Sequence, residues 1–213
     1  PAEMGWFDFS RAPSGTGVEM LDIPIFPLNT VLFPGGVQPL KIFEQRYLDM
    51  AAACMKATSP FGICLIDKGN EVGEAATPHV LGTLASIADW EMEQLGILLV
   101  TTRGGRRFRI IDSHVDDDKL LRAKVELLPE PGAVAFPPER RRLLPLLRRV
   151  VADLGPERIP EPHDYDNALW VGYRITEVLP IQNLAKQKLL ELDDPLARLE
   201  ILEKFLDQRQ LLD

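Results

Sequence analysis

The sequence predicts an α+β fold in two successive parts, a strand-rich part over residues 21–129 and a helical part over residues 139–213. Three observations carry this reading. Between Ile23 and Met50 rigid turn residues alternate at close intervals with strand-forming apolar ones. Leu121, Ala123, Val125 and Leu127 alternate with Arg122, Lys124 and Glu126, which gives a strand one buried and one wet face. From Leu143 onward, Leu144, Leu147, Val150, Val151 and Leu154 recur at helical spacing.

Residues 1–20 contain Pro13, Gly15, Gly17 and small polar residues and are expected to be a flexible tail. The tail carries Trp6-Phe7-Asp8-Phe9 near its beginning. Aromatic rings left in water expose apolar area that a soluble protein tends to cover. Trp6, Phe7 and Phe9 are therefore candidate binding residues, docking on their own domain or a neighbouring copy as a peptide substrate would; the plainer alternative is a loose tail.

In the strand-rich part Pro24, Pro27, Pro34 and Pro39 lack an amide donor and are not expected in the middle of a central ladder. Gly35-Gly36 permits positive φ after Phe33-Pro34, so the chain is expected to run in short, sharply turned strands. Tyr47, Met50, Ala51, Cys54 and Met55 then fall on one helical face, and strand gives way to helix near Glu44. Further strands are expected over 61–66, 81–92, 97–102, 107–112 and 120–128, with a hairpin around Arg103, Arg106, Arg107 and Arg109. In that hairpin Arg107 and Arg109 take the wet face while Phe108 and Ile110 point inward.

Pro129-Glu130-Pro131-Gly132 and Phe136-Pro137-Pro138 mark residues 130–138 as a proline-rich linker. In the helical part Pro145 requires a helix that starts late or kinks. Asp166 is the expected cap of a helix over 167–179, Asn183 of one through 192, and Asp194 of a last helix with Pro195 at its first position. Leu196, Leu199, Leu202, Phe205 and Leu206 form the apolar stripe of that last helix.

Phe26-Pro27-Leu28, Phe33-Pro34-Gly35 and Ile42-Phe43-Glu44 with Arg46-Tyr47 are followed by Gly82-Thr83-Leu84-Ala85 with Ile87, by Gly105-Arg106-Arg107-Phe108-Arg109-Ile110, and by Leu189-Leu190-Glu191 with Arg198-Leu199. In this order they closely resemble the Lon N-terminal domain family, the substrate-binding domain of an ATP-dependent protease, over about residues 21–210. The resemblance implies a PUA-like β pseudo-barrel followed by a C-terminal helical bundle. It also implies binding of unfolded polypeptide or a specific protein partner through apolar surface and exposed strand edges, in an adaptor, holdase-like or regulatory role in proteolysis. Glu44 and Arg46 read as a partly buried ion pair or backbone clamp, and the motif's prolines and glycines as turn-makers.

Nothing in the sequence points to chemistry. There is no G-x-x-x-x-G-K-[ST] phosphate loop, no G-x-S-x-G turn and no S-x-x-K pair, so the chain reads as a stand-alone recognition domain without ATPase or peptidase, and no cofactor is expected. Cys54 and Cys64 have apolar neighbours and suit buried reduced thiols in a cytoplasmic protein. His114 with Asp116, Asp117 and Asp118, and His163 with Glu161, Asp164 and Asp166, are more simply hairpin tips or caps than metal ligands. The formal net charge of −8 makes nucleic acid a poor default partner. The alternative is an RNA-binding PUA-like protein using the arginine clusters, including Arg140–Arg142 and Arg148-Arg149; a second alternative is an enzyme with an unrecognised site. No apolar run is long enough to span a membrane, and a leucine-rich C-terminus leaves a homo-oligomer open.

Overall fold

The structure, a computed structural model, describes residues 17–212. Trp6, Phe7 and Phe9 lie outside the described residues. The elements run β1 (Met20–Leu28), β2 (Val37–Ile42), α1 (Gln45–Ala57), β3 (Phe61–Lys68), β4 (Thr77–Pro78), β5 (Leu81–Gln94), β6 (Ile97–Val115), β7 (Leu121–Leu127), α2 (Leu143–Leu154), α3 (Ala168–Val178), α4 (Asn183–Glu191) and α5 (Pro195–Gln208). The result is a mixed sheet followed by helices. Strand order is β1-β7-β6-β5-β3-β4, with β2 added to β6 and β1 also paired with β3, so the pairings return on themselves through β3 and β1.

Two prolines sit in β1, and the pairing shows how a central strand tolerates them. Met20–Ile25 pairs antiparallel with β7, whereas Ile25–Leu28 pairs parallel with β3. Pro24 thus lies opposite Arg122 on a stretch paired on one side, and Pro27 opposite Cys64 on a stretch paired on the other. Neither proline interrupts a doubly paired position. β7 shows the expected alternation, with Leu121, Ala123, Val125 and Leu127 buried.

The expectation of short strands and of a hairpin at Arg103–Arg109 is overturned. β5 has 14 residues and β6 has 19, running without a break through Gly104-Gly105. Register shifts within the β5–β6 and β6–β7 pairings let such long strands coil. Gly104 is needed for close approach and not for a turn, because a Cβ there would lie 2.2 Å from the Phe33 carbonyl oxygen. Arg107 also departs from the wet face assigned to it: it is fully buried beside Phe108. A dense set of acceptors from outside the sheet draws the guanidinium inward, as described below.

Caps in the helical part shift by one position in two places. Asn167, not Asp166, caps α3, its side chain accepting from the Leu169 amide, and α3 ends at Val178. Gln182 occupies the cap position of α4 without a side-chain bond, because the Asn183 amide instead donates to the Asn29 carbonyl in the strand-rich part. Asp194 caps α5 as expected, accepting from Leu196 and Ala197, with Pro195 in the first turn. α2 begins at Leu143, so Pro145 falls in the first turn, where an amide has no intrahelical partner to lose.

Four apolar clusters follow. Phe26, Ile42, Tyr47, Met50, Phe61 and Val100 pack β1–β3, β5 and β6 against α1. Ile25, Cys64, Leu84, Phe108 and Val125 form a second cluster among the paired strands. Leu143, Leu147, Val171, Ile175, Leu199, Leu202 and Leu206 hold the helices together. The fourth joins the two parts: Val31, Phe33, Leu65, Leu81 and Leu128 meet Tyr173 and Leu190.

Candidate functional site

The turn at Phe33–Gly36 carries the chain from β1 to β2, and its hydrogen bonds fix where β2 lies. Gly35 N–H donates to the Gly104 carbonyl at 2.8 Å and Gly104 N–H returns the bond to Gly36 at 2.8 Å. Gly35 has φ +73°, a conformation glycine adopts without a Cβ penalty. Phe33 is fully buried with its ring 5.6 Å from that of Tyr173, and Arg174 donates to the Pro34 carbonyl at 2.7 Å. Arg174 also pairs with Glu177 at 2.9 Å. Burial pushes the Glu177 carboxyl above the usual carboxylate range, against the pull of Arg174.

From this anchor β2 runs out along β6, pairing with it from Val37↔Arg103 to Ile42↔Leu98. Among the described strands β6 is its only partner. Pro39 sits in the middle of β2 and removes a donor, a device that blunts an edge against further strand addition. Hollows of about 330 Å³ and 440 Å³ flank the strand. The first is lined by Phe26, Leu28, Ile42, Phe43, Tyr47 and Val72, the second by Lys41, Asp89, Trp90, Glu91, Leu99 and Thr101. Phe43 is 52% exposed, Val72 56% and Trp90 53%, so both hollows carry wet apolar surface.

The wall of the 330 Å³ hollow is built firmly. Phe26 and Tyr47 stack with centroids 3.9 Å apart and planes 5° from parallel. Arg46, 6% exposed, lies over the Tyr47 ring at 4.6 Å, pairs with Glu44 at 3.2 Å and donates to the Lys119 carbonyl at 2.9 Å. Burial pushes the Tyr47 phenol up from its ordinary pKa, with Arg46 pulling the other way. Across the hollow the Asn29 amide donates to Glu71 at 2.6 Å, holding the segment that carries Val72.

Of the motif residues, then, Phe33, Pro34 and Gly35 meet the helices, Phe26, Leu28, Glu44, Arg46 and Tyr47 build the hollow, and Phe43 stands at its rim. Pro27 is buried in β1 against β3. Sequence reasoning missed Val72 and Trp90, which stand outside any motif, and it missed what Arg107 does. Arg107 donates to Glu130 at 2.8 Å, to the Leu190 carbonyl at 2.8 Å, to the Leu192 carbonyl at 3.2 Å and to Asp193 at 3.0 Å. Arg198 donates to the Leu189 and Leu192 carbonyls and lies over the Tyr173 ring. Two buried guanidinium groups thus satisfy the orphan carbonyls at the end of α4. Burial and the neighbouring Glu130 carboxylate push the Tyr173 phenol up to about 12.

Several of the other clustered arginines are engaged: Arg106 pairs with Glu19 at 2.6 Å, Arg140 with Glu203, Arg142 with Asp207, and Arg148 lies over the Tyr165 ring at 3.9 Å. His114 pairs with Asp116, and His163 packs against Tyr165 and Trp170. Among the described residues no three His, Cys, Asp or Glu side chains converge as a metal site would require. Cys54 and Cys64 are buried and unpaired, and burial pushes both thiols up, away from the reactive thiolate. Among the described residues no helix is long and apolar enough to cross a membrane.

Known proteins share this architecture. The family profile described as the ATP-dependent protease La (LON) substrate-binding domain matches residues 22–208. A Lon protease of Cytophaga hutchinsonii is 25% identical over 87% of this chain and 24% of its own length. A LON peptidase N-terminal domain and RING finger protein of Schizosaccharomyces pombe is 29% identical over 88% of this chain and 45% of its own. The chain therefore spans less than half the length of these relatives. The crystal structure of a Lon N-terminal domain protein from Xanthomonas campestris superimposes with a TM-score of 0.72 at 35% identity, covering 86% of this chain and 98% of that one. The N-terminal domain of a Mycobacterium avium complex Lon protease shares the fold, with a TM-score of 0.59 at 20% identity, covering 88% and 97%.

Proposed function

The chain belongs to the Lon substrate-binding domain family, and we propose on that premise that it is a non-catalytic module binding unfolded segments of other proteins at the hollows beside β2. The observation that carries the reading is that exposed Phe43, Val72 and Trp90 line the hollows beside β2, above a wall of stacked Phe26 and Tyr47. Pro39 weakens the edge as a template for a full added strand, so apolar side chains seated in the hollows contribute more here than backbone ladder bonds. Such recognition demands little of the sequence bound. It fits an adaptor or regulator of proteolysis that selects clients by their exposed apolar residues.

We read the circuit β1-β7-β6-β5-β3 as a PUA-like pseudo-barrel and α2–α5 as a helical bundle, joined through residues 130–138. Two buried free thiols suit a reducing compartment, and we place the protein in the cytoplasm on that ground. The test is fluorescence anisotropy with a labelled, permanently unfolded polypeptide. Phe43→Ser and Val72→Ser are each expected to weaken binding about tenfold, as the loss of an apolar contact near the centre of an interface does. Unchanged affinity in both would remove the hollow from the account, and RNA binding that falls steeply with salt would redirect it to the arginines.

A further inference from the structure

The seam between the strand-rich and helical parts gathers more positive charge than its own groups neutralise. A cavity of about 60 Å³ opens there, lined from the strand-rich side by Thr30, Val37 and Gln38 and from the helical side by Arg158, Glu177 and Lys186. Arg103, which pairs with Val37 across the β2–β6 ladder, and Arg174, which holds the Pro34 carbonyl, stand close to one another beside it. The four cations come from four separate places, β6, the turn after α2, α3 and α4, in a chain whose formal net charge is −8.

Glu177 is the carboxylate set among them, and Arg174 engages both its oxygens at 2.9 Å. Lys186 donates to the Glu177 main-chain carbonyl at 2.7 Å, in the last turn of α3. Among the described residues no carboxylate pairs with Arg103, Arg158 or Lys186. Burial draws the Lys186 ammonium below its ordinary pKa against the pull of Glu177, with Arg158 adding to the fall, and burial and Arg174 lower Arg103 likewise. α2 and α3 both end at the cavity, through Leu154 and Val178, and their C-termini supply about one unit of negative charge between them. Set against Glu177 and those termini, the four cations leave an excess of about two positive charges.

We propose that this cavity binds one phosphoryl group, free or at the end of a small phosphorylated molecule, with Arg158 and Lys186 as its principal donors. Such a group carries a charge of about −1.5 to −2 at neutral pH and presents three acceptor oxygens, whereas a carboxylate would leave half of the excess standing. The guanidinium fork and the ammonium are the two side-chain groups best suited to those oxygens. The cavity holds roughly two waters' share of liquid volume, room for a compact oxyanion with anything larger left in solvent. The site does not rest on the reading of the β2 hollows as a polypeptide site.

Isothermal titration of the full chain with inorganic phosphate, at neutral pH and an ionic strength held constant with chloride, is expected to show one site per chain. Arg158→Gln and Lys186→Gln should each weaken it by at least about tenfold. Arg158 is exposed, so its replacement leaves the fold intact. Lys56→Gln removes the same charge from the exposed end of α1 and should leave phosphate affinity unchanged. Thermal melts give a second readout: phosphate should stabilise the parent and Lys56→Gln but not Arg158→Gln. Glycerol 3-phosphate separates the two sources, since tighter binding than phosphate assigns the site to a phosphorylated molecule and weaker binding to the free anion, and either supports the proposal. Acetate that binds as tightly as phosphate overturns it by giving the site to a carboxylate. Absence of saturable binding by either phosphate compound, or equal losses in Lys56→Gln and Arg158→Gln, overturns it by reducing the cluster to ordinary surface charge.

Discussion

The segment from Phe33 to Tyr47 ends in two different environments. At one end Phe33 is fully buried, its turn is bonded both ways to Gly104, and Arg174 reaches across from α3 to hold the Pro34 carbonyl. At the other end Phe43 stands 52% exposed at the rim of a hollow, while Arg46 and Tyr47 lie buried just behind it. The two phenylalanines belong to one continuous motif, yet one holds the helices to the sheet and the other faces solvent. Rigidity at the first end is what fixes the position of β2, and the fixed strand presents the second end as a preorganised surface. Preorganisation lowers the ordering cost that binding must overcome.

The largest effect should come from the anchored end. Phe33→Ala is expected to cost about 3–5 kcal/mol, since it leaves a cavity between the sheet and Tyr173; urea denaturation measures it. A variant that melts like the parent but loses polypeptide binding would reverse the roles assigned to the two ends. Arg107→Met should cost about 3 kcal/mol, because Glu130 and the carbonyls ending α4 lose their buried partner. Hydrogen exchange would show where: amides of α4 and its C-terminal turn should lose protection before those of β7. Uniform loss across both would mean that the arginine supports the whole fold and not the seam.

Gly104→Ala sharpens the comparison differently. Its Cβ meets backbone, not a movable side chain, so about 1–3 kcal/mol of strain is expected along with displacement of β2. Polypeptide affinity should fall with stability in this variant, which thermal melts and anisotropy on the same samples would check. The smallest stability change belongs to the open end. Phe43→Ser should alter stability by no more than about 0.5 kcal/mol, as exposed substitutions do, while still weakening binding.

What could be read from the sequence follows from how local the signal is. The α1 start after Glu44, the alternating face of β7 and the Asp194 cap rest on neighbours within a few residues, and periodicity or capping chemistry reveals them. Arg107 could not be placed that way. Alternation along β6 assigns it to solvent, and the groups that bury it come from 23 to 86 residues further along the chain. Gly104-Gly105 misled in the same manner, since a glycine that admits a distant backbone looks like one that makes a turn. Asn183 lost its cap role to a contact with Asn29 across the seam. The hollow itself was half legible. Phe26, Phe43 and Tyr47 stood in the motif, but Val72 comes from a distant loop, next to Glu71, whose carboxylate accepts from the Asn29 amide.

The central claim is that the surface beside β2, and not apolar surface in general, receives unfolded polypeptide. The helical part offers the proper control, because Ile201 on α5 is 46% exposed, close to the exposure of Phe43. A photo-crosslinking residue placed at position 43 in one protein and at position 201 in another, each irradiated with the same labelled unfolded polypeptide, compares the two directly. The account predicts strong labelling at position 43 that is competed by unlabelled polypeptide, and background labelling at position 201. Equal labelling at both positions, or labelling confined to position 201, would contradict it.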